Sequence, residues 1–195
     1  MATGRPREFD IDEALDQALN VFWRKGYEGT TLPDLTRAMG INRPSLYAAF
    51  GNKEKLFRKA LDRYAAGPGS HVVAALNEPT ARAVVERLWF GAIEMATNPQ
   101  NPTGCLLVHG ALVCGDTADS VRRETATRRA AGVAALRRRF QRAIAERDLP
   151  ADANPADLAR YVATVTHGMA VQAATGASRA QLRRVAQLAL RAWPT

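Results

Sequence analysis

The chain has 195 residues, 47% of them apolar, and a formal net charge of +8. That is enough for one good core, or for a small and a larger helical unit, and the charge invites a polyanionic partner. No stretch reaches the ~18 uncharged apolar residues of a membrane span, and the N-terminus shows no apolar signal region, so a cytoplasmic protein without a membrane partner is expected.

Alanine and leucine are abundant and strand-like alternation is missing, which predicts an all-α protein. Residues 1–9 form a polar arm carrying Arg5 and Arg7, of the kind that stays solvated until it meets a partner. Asp10-Ile11-Asp12-Glu13 reads as a capping box, with acids where the helix dipole favours them. Behind it Ile11, Ala14, Leu15, Ala18, Leu19 and Phe22 make an inward stripe that ends at Gly26, with Tyr27 packing back as a structural residue. Thr31-Leu32-Pro33-Asp34 is a second capping box, with proline in a first turn where its missing N–H costs nothing. Leu32, Leu35, Ala38 and Met39 then share a face, and Gly40 closes the helix. Two residues later Asn42 can cap the next helix, Arg43–Phe50, in which Leu46 and Phe50 face inward and Arg43, Ser45, Tyr47 and Ala49 face out. Two short helices about a glycine turn form a helix-turn-helix, whose second helix fits the major groove of B-DNA.

The run GINRPSLYAAFGNKEKLF resembles the recognition region of TetR-family transcriptional regulators, with the pattern Gly-apolar-polar-x-x-x-Leu-Tyr-x-x-Phe-x-x-Lys-x-x-Leu met by Gly40, Ile41, Asn42, Leu46, Tyr47, Phe50, Lys53 and Leu56. The resemblance implies a dimeric repressor that binds a palindromic operator in double-stranded DNA and is released by a small-molecule effector. It implies an N-terminal helix-turn-helix DNA-binding domain over residues 1–51, a linking helix over 52–66, and a C-terminal helical ligand-binding and dimerisation domain over 67–195. On this matching stretch Arg43 is the candidate for base readout, most simply bidentate to guanine, and Ser45 the second. Asn42 divides between capping and DNA, while Tyr47 and Lys53 go to phosphate, with Thr31 a further anchor. Lys53 opposes the dipole at its helix start, which suits a bound phosphate; a plain surface lysine is the alternative. Bulk charge adds little, because residues 1–66 hold 11 Lys/Arg against 9 Asp/Glu.

Asn52 can cap a fourth helix to Ala66, and Gly67-Pro68-Gly69 breaks it. A helical piece over 70–77 precedes a helix capped by Thr80 that runs to about Thr97. Residues 98–104 are a loop by composition, and Cys105 to Cys114 reads as a short, fully buried helix. Nine residues on one helix put the two thiols roughly 13 Å apart, too far for a disulfide. The alternative to a ligand-responsive regulator is a metal or redox sensor built on Cys105, His109 and Cys114, although no acid completes the set. From Asp119 to about Arg147 a long helix carries Val133, Leu136, Phe140 and Ile144 on one stripe, opposite a solvated arginine face that includes Arg137, Arg138, Arg139 and Arg142. The last two helices, about 155–175 and 178–193, carry small and apolar faces that suit close packing, including Val185 in the second; in the TetR family this pair forms the homodimer interface. Trp89, Phe90, Met95, His109, Phe140, Tyr161 and His167 are candidates to line an effector pocket, with core packing the competing role of each. No nucleophile–acid pattern accompanies the histidines and no phosphate-cradling glycine loop occurs, so neither an enzyme nor a cofactor is expected.

Overall fold

The computed structural model describes residues 9–112, 115 and 118–194, and within them the chain is helical, without strands. Arg5, Arg7 and Cys114 lie outside the described residues. Three helices come first: α1 (Ile11–Lys25), α2 (Leu32–Met39) and α3 (Arg43–Phe50). Each starts at a side-chain cap. Asp10 accepts the amides of Asp12 and Glu13, without the return bond a full capping box would have. Thr31 and Asp34 make the reciprocal pair at α2, and Asn42 accepts from Ser45 at α3. Gly40 ends α2 at φ 66°, a left-handed conformation that a side chain would strain.

Helix α4 (Lys53–Ala66), capped by Asn52, packs along α1 and closes the small core. Phe22, Leu35, Leu46, Leu56, Phe57 and Leu61 are fully buried there. Tyr27 packs against Phe22 and Phe57 at centroid distances of 6.3 and 5.2 Å, the structural role its position suggests.

A 3-10 turn (Pro68–Ser70) leads to α5 (His71–Leu76), then α6 (Ala81–Thr97), α7 (Leu106–His109), α8 (Asp119–Ala145), α9 (Pro155–Ala174) and α10 (Arg179–Arg191). Helix α6 is the spine, packed on α5, α9 and α10, while α8 lies on α9. Trp89 of α6 is buried and donates its indole N–H to the Val162 carbonyl of α9 at 3.2 Å.

Three expectations change. The run from Cys105 is not one buried helix: among its described residues only Leu106–His109 is helical, and Leu112 is exposed. Long-range bonds explain it, because the Tyr27 amide takes the Gly110 carbonyl (2.6 Å) and Glu28 takes the Gly115 amide (3.1 Å), pulling this segment onto the end of α1. Arg139 is not on a solvated face. It is buried and donates to the carbonyls of Glu78 and Pro79 at 2.9 and 3.0 Å, clamping the turn between α5 and α6. Val185 does not face inward with Leu182 and Ala186 but is 49% exposed.

Candidate nucleic-acid interface and effector cavity

The recognition surface follows from the burial of two residues. Leu46 and Phe50 sink into the core at i and i+4, which turns Arg43 and Tyr47 outward on the opposite face. The Arg43 guanidinium lies 5.5 Å from the Tyr47 ring centroid and donates to its hydroxyl at 3.2 Å. This pairing pre-orders a long side chain that would otherwise lose rotamer freedom on binding. Ser45 is half-buried, and its amide donates to the Asn42 side-chain Oδ1 at 2.8 Å, so the cap does not use the Asn42 side-chain NH₂.

Lys53 sits at the first position of α4, its ammonium 4.3 Å from the Tyr27 ring centroid. The aromatic face steadies the cation at the helix start, where the dipole favours an anion, an arrangement suited to a phosphate. Thr31 is exposed, yet its hydroxyl and amide are both engaged with Asp34. Lys25 reaches the same carboxylate at 2.8 Å, tying the end of α1 to the start of α2. The Lys25 hydrogen bond, then the Thr31 bonds, hold the Asp34 carboxyl well below the usual carboxylate range.

A second feature lies among α4 to α10: a cavity of about 260 Å³ with a largely apolar wall. Met95 and His167 line it. The other five pocket candidates lie elsewhere. Trp89 and Phe140 are wholly buried in the core, Phe140 against Trp193 at 5.3 Å. Phe90 sits under the Arg183 guanidinium (4.9 Å), and the Tyr161 hydroxyl donates to the Ala189 carbonyl (2.9 Å). His109 lays its ring over Gly104, where an added Cβ would meet it at 2.5 Å. Tyr64, Cys105, Arg128 and Arg129 are cavity wall too, though nothing in the expectations above assigns them there. One signal was present: Arg129, Val133, Leu136 and Phe140 recur at 4, 3 and 4, so an arginine extends the apolar stripe of α8.

The wall touches the N-terminal helices through Tyr64. Its ring packs edge-on against Trp23 of α1 at 4.8 Å, and its hydroxyl lies 3.1 Å from Cys105 Sγ and 3.0 Å from Met95 Sδ. Burial pushes the Tyr64 phenol and the Cys105 thiol up, and pushes the imidazoles of His71 and His167 down, the latter helped by the charge of Arg129. Segment 105–115 makes a second bridge, since Cys105, Leu107 and Val108 line the cavity while Gly110 and Gly115 bond to Tyr27 and Glu28. Gly26, at φ 68°, allows this approach; a Cβ there would lie 3.2 Å from the Gly110 carbonyl oxygen. Among the described residues no group of three His, Cys, Asp or Glu side chains is placed to hold a metal.

Comparison with known proteins agrees with this geometry. Residues 14–60 match the tetR family of bacterial regulatory proteins, and residues 82–189 match the tetracyclin repressor-like C-terminal domain. The HTH-type transcriptional repressor ComR of Escherichia coli K12 is 32% identical over 193 residues, 98% of this chain and 92% of that one. A cysteine-substituted variant of the TetR family transcriptional regulator CifR, solved in complex with a 26-bp double-strand operator DNA, is 43% identical with a TM-score of 0.94, covering 98% of this chain and 100% of that chain. With both its head and its larger helical part matched, the chain belongs to the TetR family and is a DNA-binding transcriptional regulator.

Proposed function

We propose that this protein is a homodimeric cytoplasmic repressor that binds a palindromic operator and leaves it when a small molecule enters the cavity. It acts by binding alone, without catalysis. The head spans 1–51, α4 links, and 67–195 holds effector and partner. The observation that carries the reading is the projecting face of α3, where Arg43 and Tyr47 stand paired and exposed above a buried Leu46 and Phe50. Arg43 reads a base, Ser45 and Asn42 assist, and Tyr47 and Lys53 take phosphates, with Thr31 alongside. One such helix reads only a few base pairs, so specificity needs two copies on half-sites a helical turn, or a multiple of it, apart.

Support for the second copy comes from the last two helices. Thr164, Gly168, Val171 and Thr175 along and just past α9, and Gln181, Val185, Leu188 and Ala192 along and just past α10, are exposed at spacings of 4, 3 and 4. Each set forms one stripe along its helix, with Val171, Val185 and Leu188 left 46%, 49% and 65% open. A second copy laying the same stripes against these completes a four-helix interface.

Effector release follows by linkage: a ligand that prefers one setting of Tyr64 and segment 105–115 shifts the heads, and operator binding weakens the ligand equally. Fluorescence anisotropy on a palindrome upstream of its own gene tests the reading. Binding that weakens steeply with salt is expected, and salt-independent binding would sink it.

A further inference from the structure

The cavity wall carries charge of one sign. It includes Arg128, Arg129, His71 and His167 and, among the described residues, no aspartate or glutamate. Arg128 is already matched, to Asp62 at 2.7 Å and Glu124 at 2.8 Å. Arg129 has no carboxylate partner among the described residues. Its Nη1 donates to the Leu107 carbonyl at 2.6 Å, which fixes the guanidinium at the wall and leaves the rest of its fork unmatched. His167 beside it makes no side-chain hydrogen bond among the described residues, and the charge of Arg129 is felt at both His167 and Cys105. A half-buried guanidinium without a counter-charge is costly, and a carboxylate meets its planar fork at two points. The remaining wall is mostly aliphatic, with Ile93, Leu107, Val133, Leu136 and Leu182, beside Tyr64, Cys105 and Thr166.

Volume sets the size. An apolar cavity of about 150 Å³ takes benzene, so 260 Å³ takes on the order of ten non-hydrogen atoms. A nucleotide or sugar is too large or too polar for this wall, and a cationic ligand would meet two arginines. We propose that the effector is a small apolar monocarboxylic acid, its carboxylate held by Arg129 with His167 alongside and its hydrocarbon body packed against the aliphatic wall. This rests on the reading of the protein as an effector-released repressor and adds the chemical class of the effector.

The test is calorimetric titration of the full-length protein with butyrate, octanoate, benzoate and phenylacetate, each beside its primary amide. At least one acid is expected to bind about tenfold or more tightly than its amide, the worth of a charge-assisted pair over a neutral one. Arg129→Gln keeps a donor for the Leu107 carbonyl, and it should bring the acid down to its amide while leaving the amide unchanged. A thermal melt of the variant checks that it is folded. Amides that bind as well as every acid, a preference that survives Arg129→Gln, or no binding of any acid at millimolar concentration would each overturn the proposal. Operator release is read separately by anisotropy. An acid that binds through Arg129 without weakening operator binding confirms the ligand class and overturns the release mechanism instead.

Discussion

Arg43 and Lys53 both face DNA in the proposed complex, yet their chemistry predicts different failures. Arg43→Ala removes a planar fork able to pair bidentately with guanine, so operator affinity should fall by about 1–3 kcal/mol with specificity relaxed at one position of each half-site. Lys53→Ala removes a point charge, so binding should weaken alike on all sequences, and the slope of log affinity against log salt should fall by about one per head. Anisotropy on the operator and on point-changed operators separates the two. Asp34 shows a third kind of residue effect. Its carboxyl is held below the usual range by Lys25 and Thr31, so it contributes stability above that range and loses it as pH falls towards its own lowered value. Asp34→Asn should therefore lower Tm at neutral pH, with the gap to wild type closing in strong acid. These residues were legible because they sit in one contiguous, strictly spaced stretch. The cavity was not, because its wall is assembled from seven helices and inward apolar residues look alike until the chain is folded.

Helix boundaries came through well for a local reason. Asp10, Thr31, Asn42, Asn52 and Thr80 each accept a backbone amide two or three residues on, so the start signal and its partner lie in the same few letters. Where long-range bonds decide, local reading fails. Segment 105–114 is apolar enough for a buried helix, but the Gly110 carbonyl within it and the Gly115 amide just after it are claimed by Tyr27 and Glu28, more than 80 residues away in sequence. Arg139 failed in the same way, since nothing in an arginine-rich run says which member turns inward. Its position yields a prediction. Arg139→Met removes the cation that satisfies the Glu78 and Pro79 carbonyls, but also removes Nε and Nη1 groups that are buried without partners. The orphaned carbonyls outweigh that relief, and a net loss of about 1–2 kcal/mol is expected. Calorimetry should register this as a Tm drop of roughly 2–8 °C for a chain of this size.

At the scale of the molecule, the two proposed functions meet at a symmetry axis this chain can supply only by pairing. The exposed stripes of α9 and α10 offer apolar side chains and little charge, and a lone protomer would leave them in water. Leu188 is the most open of their three large apolar residues, at 65%. In a monomer an arginine there would be an ordinary surface substitution, worth less than about 0.5 kcal/mol. In a dimer closed by these stripes it would be enclosed in the interface, so each protomer would bury a cation without a partner, a penalty of several kcal/mol. Leu188→Arg is therefore expected to leave the helical circular dichroism of the protomer in place and halve the mass measured by light scattering. Operator binding should fall with it, because one head on one half-site retains only part of the contacts, while binding to an isolated half-site should change little. A variant that stays dimeric and holds the full palindrome as tightly as wild type would place the interface elsewhere. The spacing of the two reading helices would then have to be set by another surface.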